Sequence, residues 1–260
     1  MATGLSGGST SDMFVLRCLP DGTPDDSFGF RGAAVFTDAA GIAGRDEGHG
    51  MVLDGQGRIV VAGLSSGPFT FAAVWRFTDS GVPDTTFGGQ GFVLHAIPPG
   101  VFPSNQGEAV TIDASGRILS AGFTNAGVGS DLVVWRFLDD GSLDPSFSSK
   151  GWVQHGNAAG GNDNDAGFGV VADSEGGIIV CGSSQSSSNG PEVVIWRFHP
   201  PGILDGSFGT GGVIVEPNPA GGMWNDSAWD LTIDSQGRLV VVGHWFDPTG
   251  LRRMVVWRYL

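Results

Sequence analysis

The tetrapeptide VWRF at residues 134–137 decides the fold, because it returns along the chain at an almost constant interval. Copies or near copies stand at 14–17 (FVLR), 74–77 (VWRF), 195–198 (IWRF) and 256–259 (VWRY). The arginines of these copies are 59, 60, 61 and 61 residues apart: Arg17, Arg76, Arg136, Arg197 and Arg258. A period of this length predicts tandem structural repeats, here four units and the beginning of a fifth.

Each unit contains four short apolar runs in the same order, which predicts four β-strands per unit. In the VWRF run, Val133, Trp135 and Phe137 alternate with Val134 and Arg136, the two-residue period of a strand. The second run is short and more polar, as in an edge strand. The third and fourth runs flank a DxxG turn, where the aspartate caps the turn and the glycine supplies a positive φ. The turn residues are Asp54 and Gly57, Asp113 and Gly116, Asp173 and Gly176, Asp234 and Gly237.

The fold class that this pattern predicts is all-β, a β-propeller of four four-stranded blades. No segment has the 3.6-residue apolar period of a helix, and four-stranded units in tandem are typical of propellers. We expect a flexible segment at 1–10 and a single domain at 11–260. Its repeats are placed at about 11–71, 72–131, 132–192 and 193–253, with a partial repeat at 254–260.

The two ends of the chain are predicted to clasp, because there are five VWRF runs but only four runs of each other type. The outer strand of the closing blade would come from residues 33–36 near the N-terminus. Residues 14–18 and 255–259 would then compete for one position, and the sequence does not decide between them. A closed ring favours a monomer, whereas an open ring permits a dimer through its free blade edges.

The repeat pattern also resembles a known family. An arginine followed by DGxLDxSFGxxG and then AxxxDxxGRIxVAG, seen best in residues 136–151 and 108–122, is similar to the delta-60 repeat of large secreted or surface proteins of bacteria. The resemblance covers residues 11–260. The pattern departs at Ser148, which replaces a glycine, and in the fourth copy, which has His199, Pro200 and Pro201 in its turn. The resemblance implies a propeller-like fold and a bacterial surface or extracellular location, and it implies no general activity.

The charge of the chain limits its partners. A formal net charge of −14 argues against nucleic acid and anionic membrane surfaces, because both require a basic surface. No apolar run is long enough to insert into a membrane, and the start of the given sequence lacks the pattern of a secretion signal. Cations, proteins and glycans are more compatible partners. The two cysteines, Cys18 and Cys181, are interpreted as buried free thiols.

An aspartate stands eight residues after each of the first four arginines. The pairs are Arg17 and Asp25, Arg76 and Asp84, Arg136 and Asp144, Arg197 and Asp205. A guanidinium in a buried strand needs a carboxylate partner to offset its desolvation. A catalytic pair has no need to recur in four repeats, so we interpret these as structural ion pairs.

A second set of polar residues lies eight positions before each DxxG aspartate: Asp46, Asn105, Asp165 and Asp226. In a closed ring, the repeat symmetry would bring these four side chains together around the mouth of the central channel. Oxygen ligands are what Ca²⁺ prefers, so the set is a candidate calcium site. The alternative is that each side chain caps its own loop.

Four aromatic residues break the repeat pattern and are predicted to lie in variable loops, where they could bind a ligand: Phe102, Trp224, Trp229 and Trp245. Aromatic side chains in loops stack on sugar rings or anchor a protein partner. The alternative interpretation is that they pack long loops against the ring.

These observations favour a non-enzymatic binding or scaffold propeller that recognises a protein or a glycan through its loops. A lactonase-like, metal-dependent hydrolase is the first alternative, because a cation at the channel mouth could polarise a substrate carbonyl. Its candidate residues are Asp46, Glu47, His49, Glu108, Asp165 and Asp226. A lectin with one sugar pocket per blade is the second alternative.

Overall fold

The structure is a computed structural model that describes every residue except 7–10, 42–43, 98–103, 128, 188–189 and 217–224. The described residues form strands and connecting turns and no helix. None of them therefore forms a helix long and apolar enough to cross a membrane.

The strands form five successive groups. The first sheet contains β1 (Ala2–Ser6), β2 (Asp12–Leu16) and β3 (Ala33–Phe36). Blade 1 contains β4 (Arg45–Leu53), β5 (Ile59–Ser66), β6 (Thr70–Phe77) and β7 (Phe92–His95). Blade 2 contains β8 (Ser104–Ile112), β9 (Ile118–Gly127), β10 (Gly129–Phe137) and β11 (Trp152–His155). Blade 3 contains β12 (Gly160–Ala172), β13 (Ile178–Ser186), β14 (Pro191–Phe198) and β15 (Val213–Glu216). The last sheet contains β16 (Ser227–Ile233), β17 (Leu239–Phe246) and β18 (Arg252–Tyr259).

Within each blade the four strands are antiparallel neighbours in chain order, as the four apolar runs predicted. The DxxG turns join the first and second strands, and their glycines have the positive φ that the sequence predicted, 78° at both Gly57 and Gly116. One parallel pair, Thr70 with Ser104, also links blade 1 to blade 2. The inner strands β4, β8, β12 and β16 lie side by side and bring their residues to one central surface.

Every contact between consecutive sheets has the same construction. We call the face that carries the VWRF tryptophan the front face of a sheet, and the face that carries the arginine its rear face. Trp135, on the front face of blade 2, packs against Ala72 and Val74 on the rear face of blade 1. Trp75 and Trp196 repeat this packing one sheet earlier and one sheet later, and all three indoles are fully buried.

The predicted clasp between the chain ends is wrong. Residues 33–36 form β3, which pairs with β2 and not with β18, because the 16-residue connection 17–32 returns the chain to the edge of β2. Within the described residues, β18 pairs with β17 alone, and no core cluster joins the first sheet to the last. The four-blade count is not confirmed: the described chain has three complete blades between two three-stranded sheets. Residues 14–18 and 255–259 therefore do not compete for one position.

Two smaller expectations also need correction. The segment 1–10 was predicted to be flexible, but residues 2–6 form β1, which pairs with β2 from Ala2 opposite Leu16 to Ser6 opposite Asp12. This strand takes the place that a second strand has in a complete blade. Cys181 is buried as predicted, but Cys18 is exposed because no sheet covers the front face of the first sheet.

Candidate functional site

The structure joins each of the first four repeated arginines to the aspartate eight residues later. The distances from arginine Nε to aspartate Oδ2 are 2.8 Å in the first pair, 2.7 Å for Arg76, 2.8 Å for Arg136 and 3.5 Å for Arg197. Arg136 is fully buried, and its Nη2 also donates to the Ser146 hydroxyl at 2.9 Å. Because the same contacts recur in successive repeats, these pairs hold the blades together and do not distinguish one functional site.

The four candidate calcium ligands are buried, and each binds backbone amides nearby. The amide of Ile97 donates to Asn105 Oδ1 at 3.1 Å, and that of Asn157 donates to Asp165 Oδ2 at 2.8 Å. Asp46 accepts from the amide of Ala39, and Asp226 from that of Phe246. In the part of the chain that the structure describes, no group of three His, Cys, Asp or Glu residues is arranged to hold a metal ion. The four side chains cap separate backbone segments, and calcium binding here stays a prediction.

A β-bulge in each inner strand turns one side chain out of the regular alternation. The register shifts between Gly48 and Gly50, and the same shift recurs in β8, β12 and β16. The bulged residues are His49, Glu108, Phe168 and Trp229. Since the inner strands are neighbours, these four residues form a row along the central surface. Its first half is polar and its second half is aromatic.

The polar half of the row is a compact charged cluster. His49 Nδ1 lies 3.1 Å from Glu108 Oε2, and its Nε2 lies 3.3 Å from Glu47 Oε2. Glu47 is buried and also accepts a hydrogen bond from Arg45. Burial alone would lower the pKa of His49, but its hydrogen bonds to Glu108 and Glu47 outweigh burial and raise it above 6.5. Both imidazole nitrogens are engaged, so a metal ion would have to displace a carboxylate in order to bind His49.

We expect this cluster to make stability depend on pH. Because the folded-state pKa of His49 is raised, its stabilising contribution is fully present below about pH 6.5 and is lost as the pH rises through the folded pKa. His49→Gln should therefore lower the melting temperature more at about pH 5.5 than at about pH 8.5. Thermal melts followed by circular dichroism at the two pH values measure this difference.

His95→Gln is the matched control. Burial lowers the pKa of His95 to about 4, so this histidine destabilises the protein as the pH falls below 6.5. The melting temperature of the native chain should therefore fall relative to that of His95→Gln as the pH becomes acidic. This trend is opposite to the one expected for His49→Gln. Equal effects of His49→Gln at both pH values would contradict the charged state assigned to the cluster.

The aromatic half of the row opens into a groove of about 400 Å³ between blade 3 and the last sheet. Phe168 contacts Trp229 with ring centroids 4.9 Å apart, and 47% of Trp229 is exposed. The Trp229 Nε1–H group donates to His244 Nδ1 at 2.8 Å, and the two rings are inclined by only 17°. Since an indole N–H bond lies in the ring plane, the rings lie edge to edge and form one extended flat surface.

Polar groups fix this surface and border the groove. His244 Nε2 lies 2.9 Å from the carbonyl of Asn225, so this nitrogen carries the proton and Nδ1 is the acceptor. Burial, and then the charge of Arg252, lower the pKa of His244 and keep it neutral. The guanidinium of Arg252 lies 3.1 Å from His244 Nδ1 and borders the groove, together with Ser183. The arrangement offers a flat apolar platform with a cation and a hydroxyl beside it.

The predicted ligand-binding aromatics have different positions. Trp229 and Trp245 lie in strands β16 and β17 and not in loops, and Phe102 and Trp224 lie outside the described residues. Of the two that the structure describes, Trp229 lines the groove and Trp245 does not. Phe168 and His244 were missed, although a signal exists for Phe168: each bulged residue stands five positions before a DxxG aspartate. That position varies from His to Glu, Phe and Trp, while the residue before it is Gly or Ala in every repeat.

Two comparisons with known proteins bear on the fold. A family model described as a β-propeller domain of unknown function, DUF5122, matches residues 57–87 and 114–147. This match supports a propeller-like family and does not single out the delta-60 repeat. No curated protein matches this sequence.

The chain is also similar to several solved structures at low sequence identity. A protein of unknown function from Dyadobacter fermentans is 14% identical, with a TM-score of 0.52 over 95% of this chain and 71% of that one. An α-L-arabinanase from Cellvibrio cellulosa is 12% identical, with a TM-score of 0.44 over 98% and 90% of the two chains. A fucose lectin from Kordia zhangzhouensis is 12% identical, with a TM-score of 0.34 over 57% and 90%. The first of these supports the overall fold, and none of them decides a function.

Proposed function

We propose that this protein is a non-enzymatic, glycan-binding propeller that holds a sugar in the Trp229 groove. The observation that carries the proposal is the half-exposed indole of Trp229, extended edge to edge by His244 within an open groove. The C–H face of a sugar ring packs on such a platform, and a few polar groups at its edge orient the hydroxyls. Arg252 and Ser183 are placed to donate those hydrogen bonds.

Trp229 suits this role better than the other indole that borders a large cavity. Trp152 borders a cavity of about 620 Å³, but the ammonium of Lys150 lies 4.9 Å from its ring centroid and covers that face. The VWRF tryptophans Trp75, Trp135 and Trp196 are fully buried between sheets. An exposed indole in a groove at one place, with the equivalent tryptophans of the repeat buried, favours a single binding site. The lectin alternative would instead require one pocket in each blade.

The hydrolase alternative has a specific geometry in its favour, the close approach of Glu47, His49 and Glu108. Asp165 and Asp226, two further residues of that candidate set, are engaged with backbone amides elsewhere. We therefore prefer binding to catalysis. A protein ligand and an extracellular or cell-surface location remain proposals that follow from the acidic surface and the resemblance to the delta-60 repeat.

The proposal predicts that Trp229→Ala abolishes most sugar binding. An oligosaccharide array probed with the 260-residue chain identifies the glycan, and calorimetric titration with that glycan then gives the affinity. Loss of the stacking surface should weaken binding more than about tenfold, or about 1.4 kcal/mol. Trp229→Phe, which keeps a smaller ring, should retain part of the affinity.

Trp245→Ala is the matched control, because it removes the neighbouring indole in β17 that does not line the groove. This variant should bind the glycan as tightly as the native chain does. An array with no signal above that of Trp229→Ala would refute sugar binding, and a protein ligand would become the better explanation.

A further inference from the structure

The rear face of the last sheet is uncovered. Met254 is 80% exposed and Val256 is 57% exposed, and both point away from blade 3. At the matching positions in blades 1 and 2 the residues are Ala72, Val74, Leu132 and Val134, and none is more than 5% exposed. Those residues are covered by the front face of the next sheet. The last sheet therefore presents half of a repeated interface without its other half.

The front face of the first sheet is the complementary open surface. Leu16 occupies the position of the buried VWRF tryptophans, yet it is 39% exposed, and Val35 on the neighbouring strand is 52% exposed. Phe14 pairs with Val35 across β2 and β3 and adds a third apolar side chain. Cys18, two residues beyond Leu16, is exposed on the same face.

A repeated hydrogen bond defines how such faces meet. In three of the four covered interfaces, the Nη1 atom of the repeat arginine donates to a main-chain carbonyl in the turn of the following sheet. The acceptor stands three residues after the next repeat arginine. The three contacts are Arg17 with the carbonyl of Asp79, Arg76 with that of Asp139, and Arg136 with that of Pro200. Arg258 is exposed on the open rear face. By the same spacing its acceptor is the carbonyl of Pro20, which belongs to the first sheet's turn and is also exposed.

We propose that the rear face of the last sheet binds the front face of the first sheet of a second copy of this chain, with Arg258 donating to Pro20 of that copy. The partner is a second copy because the two faces repeat the two halves of the internal interface, while within one chain's described residues they do not pack together. Such an association is head to tail, so it closes into a ring or extends as a chain of molecules. The proposal does not depend on sugar binding.

Light scattering on the 260-residue chain between about 1 µM and about 200 µM tests this association. The mass of the native chain should rise with concentration, whereas Leu16→Arg and Val256→Arg should each stay monomeric. Each variant keeps one intact face, so an equimolar mixture of the two should form a dimer that does not grow further. Circular dichroism establishes that both variants are folded.

Val82→Arg is the matched control, because Val82 is 56% exposed in a turn of blade 1 and lies on neither open face. It should associate as the native chain does. Alkylation of Cys18 should become several-fold slower as the mass rises, since the partner covers it. A native chain that stays monomeric at every concentration, a monomeric mixture, or variants that still associate would each overturn the proposal.

Discussion

Replacing Arg136 by leucine should lower the free energy of unfolding by about 3 to 5 kcal/mol, because it leaves the buried carboxylate of Asp144 without its main charged partner. The same change removes the Nη2 hydrogen bond to Ser146 and the contact of the guanidinium with the Phe147 ring at 4.6 Å. It also removes the link to the carbonyl of Pro200 in blade 3. Urea unfolding monitored by tryptophan fluorescence measures the loss.

Arg197→Leu is the matched control for this prediction. Arg197 has the same place in its repeat, but its side chain is 32% exposed, compared with 2% for Arg136, and it lies 3.5 Å from Asp205. Water screens the weaker pair, so Arg197→Leu should cost much less stability. Similar losses in both variants would indicate that burial does not set the strength of these ion pairs.

The features that could be predicted from the sequence are those that repeat. Arg136 and Asp144 have equivalents at the same eight-residue spacing in three other units, so the sequence predicts the same pairing independently in four places. The DxxG turns are equally predictable, because the positive φ of Gly57 or Gly116 is a local requirement of a tight turn. Local chemistry fixes both features, and neither depends on how the sheets are arranged.

Features that depend on competition between distant segments could not be predicted in this way. Residues 33–36 could pair with either β2 or β18 by their pattern alone, and their nearness to β2 in the chain decided the outcome. Closing the 16-residue loop between β2 and β3 costs less conformational entropy than closing a loop of more than two hundred residues to β18. The place of residues 2–6 was missed because ATGLS has no apolar alternation, yet their backbone groups pair with β2.

The candidate site was partly predictable. Trp229 was identified as an aromatic residue that breaks the repeat, but it was assigned to a loop because a bulge is invisible to a two-residue period. His244 is unremarkable in the sequence and gains its role only through the hydrogen bond from Trp229. The sequence left two interpretations of the Asp46 group, a calcium site at the channel mouth or caps of separate loops; the hydrogen bonds of its members are those of caps, and calcium binding stays a prediction.

The bulges lead to a second prediction of large effect, which concerns the glycine opposite each of them. A Cβ atom at Gly122 would lie 1.9 Å from the carbonyl oxygen of Gln106 in β8, too close for any atom. Gly122→Ala should therefore force the two strands apart and lower the free energy of unfolding by about 3 kcal/mol. Urea unfolding again measures the change. Gly55→Ala is the control, because a Cβ there meets nothing within 4 Å.

A glycine-to-alanine substitution in the last sheet tests whether the bulge positions Trp229 for glycan binding, apart from any effect of the substitution on stability. A Cβ atom at Gly243 would lie 2.2 Å from the carbonyl oxygen of Ser227, two residues before Trp229. Gly243→Ala should displace Trp229 and weaken glycan binding, while Gly122→Ala, measured well below its unfolding transition, should leave that affinity near the native value. Both variants retain every side chain of the groove. If Gly243→Ala binds the glycan normally, the position of Trp229 does not depend on the bulge, and the link between repeat geometry and ligand binding is wrong.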